Sequence, residues 1–113
     1  IADLRACGLA YRSFALENPT LYAVMFHGAV PDYEPSALAM ATGAATLQEL
    51  ADRIRRAIDA GLLRPLDPLH MAAIVWSTCH GVVSLEMKKA PMAIDWPAVY
   101  RDACENVIRG LAA

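Results

Sequence analysis

A chain of 113 residues, 57% of them hydrophobic and with a formal net charge of −2, holds enough apolar material for one globular core and lacks the composition of a disordered tail. The slight negative charge gives no broad electropositive footprint for nucleic acid. Cys7, Cys79 and Cys104 are odd in number and far apart, without disulfide-framework or metal-site spacing, which predicts buried thiols in a reducing, cytoplasmic compartment.

The chain opens inside an apolar-periodic segment, IADLRACGLAYRSF, with no cap and no initiator methionine. That start predicts further chain upstream of Ile1, and nothing in it resembles a secretory signal. Asn18-Pro19 closes this first helix and opens a second, with Asn18 as its N-cap. Val30 to Ser36, VPDYEPS, reads as a loop. A long helix follows from about Ser36 to Ala60, with Gly61 where a helix end favours a left-handed residue. Asp67-Pro68 supplies N-cap and first turn for a fourth helix, which ends near Lys88-Lys89 and is stopped by Ala90-Pro91. Asp95-Trp96-Pro97 opens a last helix to about Leu111. No alternating strand pattern and no internal repeat is present, so the expected fold is all-α, a single domain over 1–113 built as a bundle of about five helices.

Helix faces follow from about 100° per residue. The long helix collects Met40, Ala44, Leu47, Leu50, Ala51, Ile54, Ala57 and Ile58 on one side and Gln48, Glu49, Asp52, Arg53, Arg55, Arg56 and Asp59 on the other. Its arginines are interspersed with acids, which predicts a solvated face in preference to a phosphate site. The last helix sets Trp96, Tyr100, Ala103, Cys104, Val107 and Leu111 against Arg101, Asp102, Glu105 and Arg109.

The fourth helix is apolar on two sides. Leu69, Ala72, Ala73, Trp76, His80, Val83 and Met87 share one; Met71, Ile74, Val75, Thr78, Val82 and Leu85 share the other, with Gly81 at its edge and His70, Ser77, Ser84 and Lys88 between them. A small domain has one core, so the second side calls for a second partner, most simply another copy of the chain. The last two helices and their symmetry mates then form a four-helix interface including Met71, Thr78, Gly81, Val82, Leu85, Tyr100 and Val107. Glycine costs about 1 kcal/mol against alanine inside a helix, so Gly81 points to close approach by another helix. A membrane span competes for Leu69 to Leu85, but that run is barely long enough and its polar strip and two histidines would face lipid. No membrane association is expected.

Trp76 to Glu86, WSTCHGVVSLE, carries a Trp-x-x-x-His-Gly pattern, and Ala10 to Phe26, AYRSFALENPTLYAVMF, a Tyr-x-x-Phe-Ala-x-x-x-Pro-x-x-Tyr-x-x-Met-Phe pattern. Together with Ala57 to Trp76, these resemble, in order, the WHG-type C-terminal domain of TetR-family transcriptional regulators. The resemblance covers most of the chain. It implies an effector-binding and dimerisation domain of a repressor that releases operator DNA when a small ligand binds. The helix-turn-helix domain that reads DNA in such regulators has no counterpart in this chain, so operator binding is expected only through that missing part.

Catalysis has little support. His27, His70 and His80 are candidate bases, but no nucleophile motif and no phosphate loop accompanies them. Cys79 and His80 point about 100° apart, and His70 lies about 15 Å along the axis from His80. No cofactor or metal is therefore expected. His80 has two readings: a buried imidazole bonded to a neighbouring helix, or a polar contact in an apolar effector cavity also lined by Tyr11, Phe14, Tyr22, Met25, Phe26 and Trp76. Plain core packing is the alternative for each aromatic residue. The favoured effector is small and largely apolar or aromatic. A helical protein–protein interaction module without a ligand is the competing reading of the whole chain; a cavity favours the regulator and a filled core the module.

Overall fold

A computed structural model describes residues 1–26, 37–89 and 91–113, with the side chains of Val24, Phe26 and residues 37–43 left out. It comprises α1 (Ala2–Glu17), α2 (Pro19–Phe26), α3 (Ala37–Asp59), α4 (Pro68–Met87) and α5 (Trp96–Leu111). The expected Val30–Ser36 loop, His27 and Ala90 lie outside the described residues.

Helix ends follow the capping chemistry. The Asp67 carboxylate accepts from the His70 N–H at 3.0 Å and the Asp95 carboxylate from the Ala98 N–H at 3.2 Å, and each helix has proline in its first turn. Gly61 sits at φ +77°. Its N–H donates to Ile58 O and the Leu62 N–H to Ala57 O, both at 2.9 Å, which is the paired closure of a Schellman end. Gly61→Ala places a Cβ in the left-handed region and should lower unfolding free energy by about 1 kcal/mol, read as a lower urea midpoint at unchanged slope. Asn18 closes the first helix, its side-chain amide donating to Phe14 O at 3.0 Å, and opens the second, its carbonyl accepting from the Tyr22 N–H at 2.9 Å.

α4 lies at the centre, packed against α1, α3 and α5. Around its N-terminal half, Leu4, Ala51, Ile54, Ala57, Leu63, Met71, Ala72 and Leu111 form one core cluster; around its C-terminal half, Ala15, Tyr22, Cys79, Val83 and Tyr100 form another. α3 buries Ala51, Ile54 and Ala57, and α5 buries Tyr100 and Leu111, all from their expected apolar faces. The link after α3 clasps the end of α5 through an isolated antiparallel bridge, Leu63 to Ala112. There the Arg64 N–H donates to Leu111 O at 2.8 Å and the Ala113 N–H to Leu62 O at 3.1 Å.

The inward line of α4 differs from expectation. Met71, Ala72, Cys79 and Val83 are its buried residues, drawn from both predicted faces together with Cys79, which belongs to neither. The outward line holds His70, Ile74, Ser77, Gly81 and Leu85, so two residues expected to separate the faces, His70 and Ser77, share it with apolar ones. Met71 and Tyr100, expected at a dimer interface, are buried inside the protomer. The reason is packing from three directions. An apolar surface that wraps around a helix has no phase of its own, and the neighbours α1, α3 and α5 set which side turns in.

Candidate functional site

Of the seven residues expected at an effector site, four come together. Tyr11 Oη lies 2.5 Å from Tyr22 Oη, Tyr22 Oη 2.6 Å from His80 Nδ1, and His80 Nε2 3.4 Å from Ser84 Oγ. The Tyr11 and Tyr22 rings meet edge to face at 5.9 Å between centroids, and Trp76 flanks His80 at 5.9 Å. α1, α2 and α4 each contribute. Burial pushes the Tyr11 and Tyr22 phenols above their ordinary pKa, so both are neutral and can donate. His80 is thereby a hydrogen-bonded imidazole between helices. Phe14 and Met25 stand 41% and 43% exposed and Trp76 37%; the Phe26 side chain lies outside the described residues.

Beside this cluster, Arg12 Nη2 of α1 meets Glu86 Oε1 of α4 at 2.8 Å. Arg12 Nε and Glu86 Oε2 are buried with no hydrogen-bond partner. The guanidinium also lies over the Tyr100 ring, 5.9 Å from its centroid. Neither partner of this pair was marked out by the sequence reading.

A cavity of about 290 Å³ lies between α1, α4 and α5. Leu4, Leu9, Val75, Val107, Ile108 and Leu111 give it an apolar wall, and Tyr100, Cys79 and Cys104 a softer, polarisable side. Gly8 is also in the wall, where an added Cβ would come within 3.8 Å of Cys104 Sγ and 3.9 Å of Tyr100 Oη. The Tyr100 hydroxyl donates to Gly8 O at 2.6 Å, tying α5 to α1. Two polar lining residues pair with each other: Arg5 Nε lies 2.6 Å from Glu105 Oε1. That pairing lowers the Glu105 pKa and raises that of Arg5. None of the six expected effector residues with described side chains lines this cavity, whereas Thr78, Tyr100 and Val107, expected at a dimer interface, do. Val82 packs half-buried against the second core cluster, leaving Gly81 and Leu85 of that set on the surface.

Cys79 Sγ and Cys104 Sγ are 4.0 Å apart in the cavity wall. The hydrogen bond from Cys104 holds the Cys79 thiol down to about 7 despite its burial, while the same interaction raises Cys104. Sequence spacing gives no signal for this pair. Cys104 does lie on the expected inward face of α5, and its partner emerges only once the phase of α4 is known.

Among the described residues no group of three or more His, Cys, Asp or Glu is placed to hold a metal ion, and no helix is long and apolar enough to cross a membrane. Residues 4–111 match the family described as tetracyclin repressor-like, C-terminal domain. No curated protein and no solved structure matches the chain.

Proposed function

We propose, because the chain belongs to the tetracyclin repressor-like C-terminal domain family, that it is the effector-binding and dimerising part of a cytoplasmic transcriptional repressor, and that its effector is a small, largely apolar molecule held between α1, α4 and α5. Domains of this family are parts of transcription regulators. The observation that carries the finer reading is the cavity: about 290 Å³ with a mainly apolar wall, at the small end of the range for ligand sites. A single substituted aromatic ring or a short acyl chain has the matching chemistry. Burial supplies affinity, and the hydroxyl of Thr78 and the Arg5–Glu105 pair are the polar groups nearest to hand.

Regulation then follows from differential affinity. A ligand that fills the space between α1 and the α4–α5 pair favours one spacing of these helices, and it shifts the domain only as far as it binds that spacing better. In a dimer built on α4 and α5 the shift alters the separation of the DNA-reading heads and lowers operator affinity. Operator contact belongs to those heads. On α3 of this chain, Arg53 is paired with Glu49 at 3.1 Å, which supports a solvated face.

The test is thermal unfolding in the presence of toluene, indole and octanoate. At a hundredfold excess over Kd a ligand that binds only the folded chain adds about 2.7 kcal/mol of stability, visible as a rise in Tm of several degrees. Gly8→Leu projects a side chain into the cavity wall beside Cys104 and Tyr100 and should abolish the rise. No rise with any of the three, or an equal rise in Gly8→Leu, would overturn the cavity as the effector site; the first outcome favours an interaction module without a ligand.

A further inference from the structure

We propose that Cys79 and Cys104 form an oxidisable thiol pair, converted to an intramolecular disulfide by a hydroperoxide with an apolar tail that enters the α1–α4–α5 cavity. Two features of the fold converge on this assignment. The sulfurs are 4.0 Å apart across the α4–α5 packing, so an approach of about 2 Å brings them to disulfide bonding distance. Both also line the cavity, which gives a reagent a path to Cys79, a residue only 4% exposed. The third cysteine, Cys7, is absent from that wall.

The two sulfurs have different parts. Cys79 is the more acidic thiol, held there by the hydrogen bond from Cys104, and the thiolate is the nucleophile. Its sulfur attacks the terminal oxygen of the hydroperoxide. The O–O bond breaks, Cys79 becomes a sulfenic acid, and the departing alkoxide takes a proton to leave as an alcohol. Cys104 then attacks the Cys79 sulfur; the S–S bond forms, the S–O bond breaks, and hydroxide leaves with the Cys104 proton as water. Two thiols lose two electrons and the hydroperoxide gains them, so no further oxidant is required. The wall of Leu4, Leu9, Val75, Val107 and Ile108 favours an organic hydroperoxide over hydrogen peroxide. The new bond would pin α4 to α5 from within the cavity.

This assignment rests on the cavity being open to apolar molecules, as in the reading above. Its test has a separate readout, because the thermal shift with toluene is measured on the reduced chain and the oxidation is read by mass. Reduced protein is treated with one equivalent of cumene hydroperoxide, the remaining thiols are alkylated, and the chain is mapped by peptide mass spectrometry. The expected product has lost two hydrogens, joins the Cys79 and Cys104 peptides, leaves Cys7 alkylated and reverts with dithiothreitol. Cumene hydroperoxide should react about tenfold or more faster than hydrogen peroxide because its tail is buried on approach. In Cys104→Ser the resolving thiol is gone, and Cys79 sulfenic acid should accumulate and be trapped by dimedone. Should that variant not fold, the map of the wild-type chain decides alone. Preferential oxidation of Cys7, disulfides only between chains, or equal rates with the two peroxides would each overturn the proposal.

Discussion

Ile74→Glu combined with Leu85→Glu should leave the helical content unchanged and turn a dimer into a monomer. Both residues lie on the outward line of α4, Leu85 at 53% exposure, so neither substitution disturbs the protomer core. Between them is Gly81, where an added Cβ meets nothing within 4 Å. Spacings of seven and four residues keep the three on one stripe. If two copies pack along that stripe, the double variant places four carboxylates in one apolar interface, and like charges brought together there cost several kcal/mol, a weakening of about a thousandfold or more. Gly81→Leu tests the same surface by bulk, since inside the protomer it meets no obstacle. Light scattering at micromolar concentration reads both. A wild-type monomer, or a dimer indifferent to all three changes, would dispose of α4 as the interface.

Arg12→Met should destabilise the chain by about 3 kcal/mol, the scale for removing one member of a largely buried ion pair. The side chains of Arg12 and Glu86 are only 23% and 18% exposed, and they join α1 to the C-terminal half of α4. Without the guanidinium, the Glu86 carboxyl stays largely buried but loses its partner. The double variant Arg12→Met with Glu86→Met removes both charges at similar volume and should recover most of the loss, because two buried polar atoms that already lack partners go with them. Urea unfolding of the two single variants and the double gives the coupling energy. A double variant as unstable as the sum of the singles would mean that the pair contributes nothing as a pair.

The fold was legible wherever one residue settles a local choice. Asp67, Asp95 and Gly61 mark helix ends because each satisfies or releases backbone groups within its own turn. The faces of α3 and α5 were legible because polar and apolar residues segregate on them. On α4 the apolar residues surround the axis, so periodicity named its two-sidedness but not its orientation. Periodicity therefore sets Met71 on a partner-facing side, whereas it is buried within the protomer, and Trp76 is 37% exposed. Tyr11, Tyr22, Trp76 and His80 were brought together from ordered motifs, and the structure has them in mutual contact. The cavity left no trace in the sequence: it is a gap among three helices, and Gly8 marks it only after α1 has been laid against α5. Arg12–Glu86 and Cys79–Cys104 join different helices, so no periodicity within one helix relates their partners.

The clasp at Leu63–Ala112 bears on how anything reaches the cavity. α5 is one wall, and its last turn is stitched to the α3–α4 link by main-chain hydrogen bonds, while near its start Tyr100 is buried in the second core cluster. It cannot swing out like a door hinged at one end. α1, the facing wall, is held to α5 by side-chain bonds, Arg5 to Glu105 and Tyr100 to Gly8, and the first of these lies in water where such pairs hold weakly. A guest is therefore expected to pass by a small outward displacement of the N-terminal half of α1, away from the Arg12–Glu86 pair, with α4 and α5 as the stationary jamb.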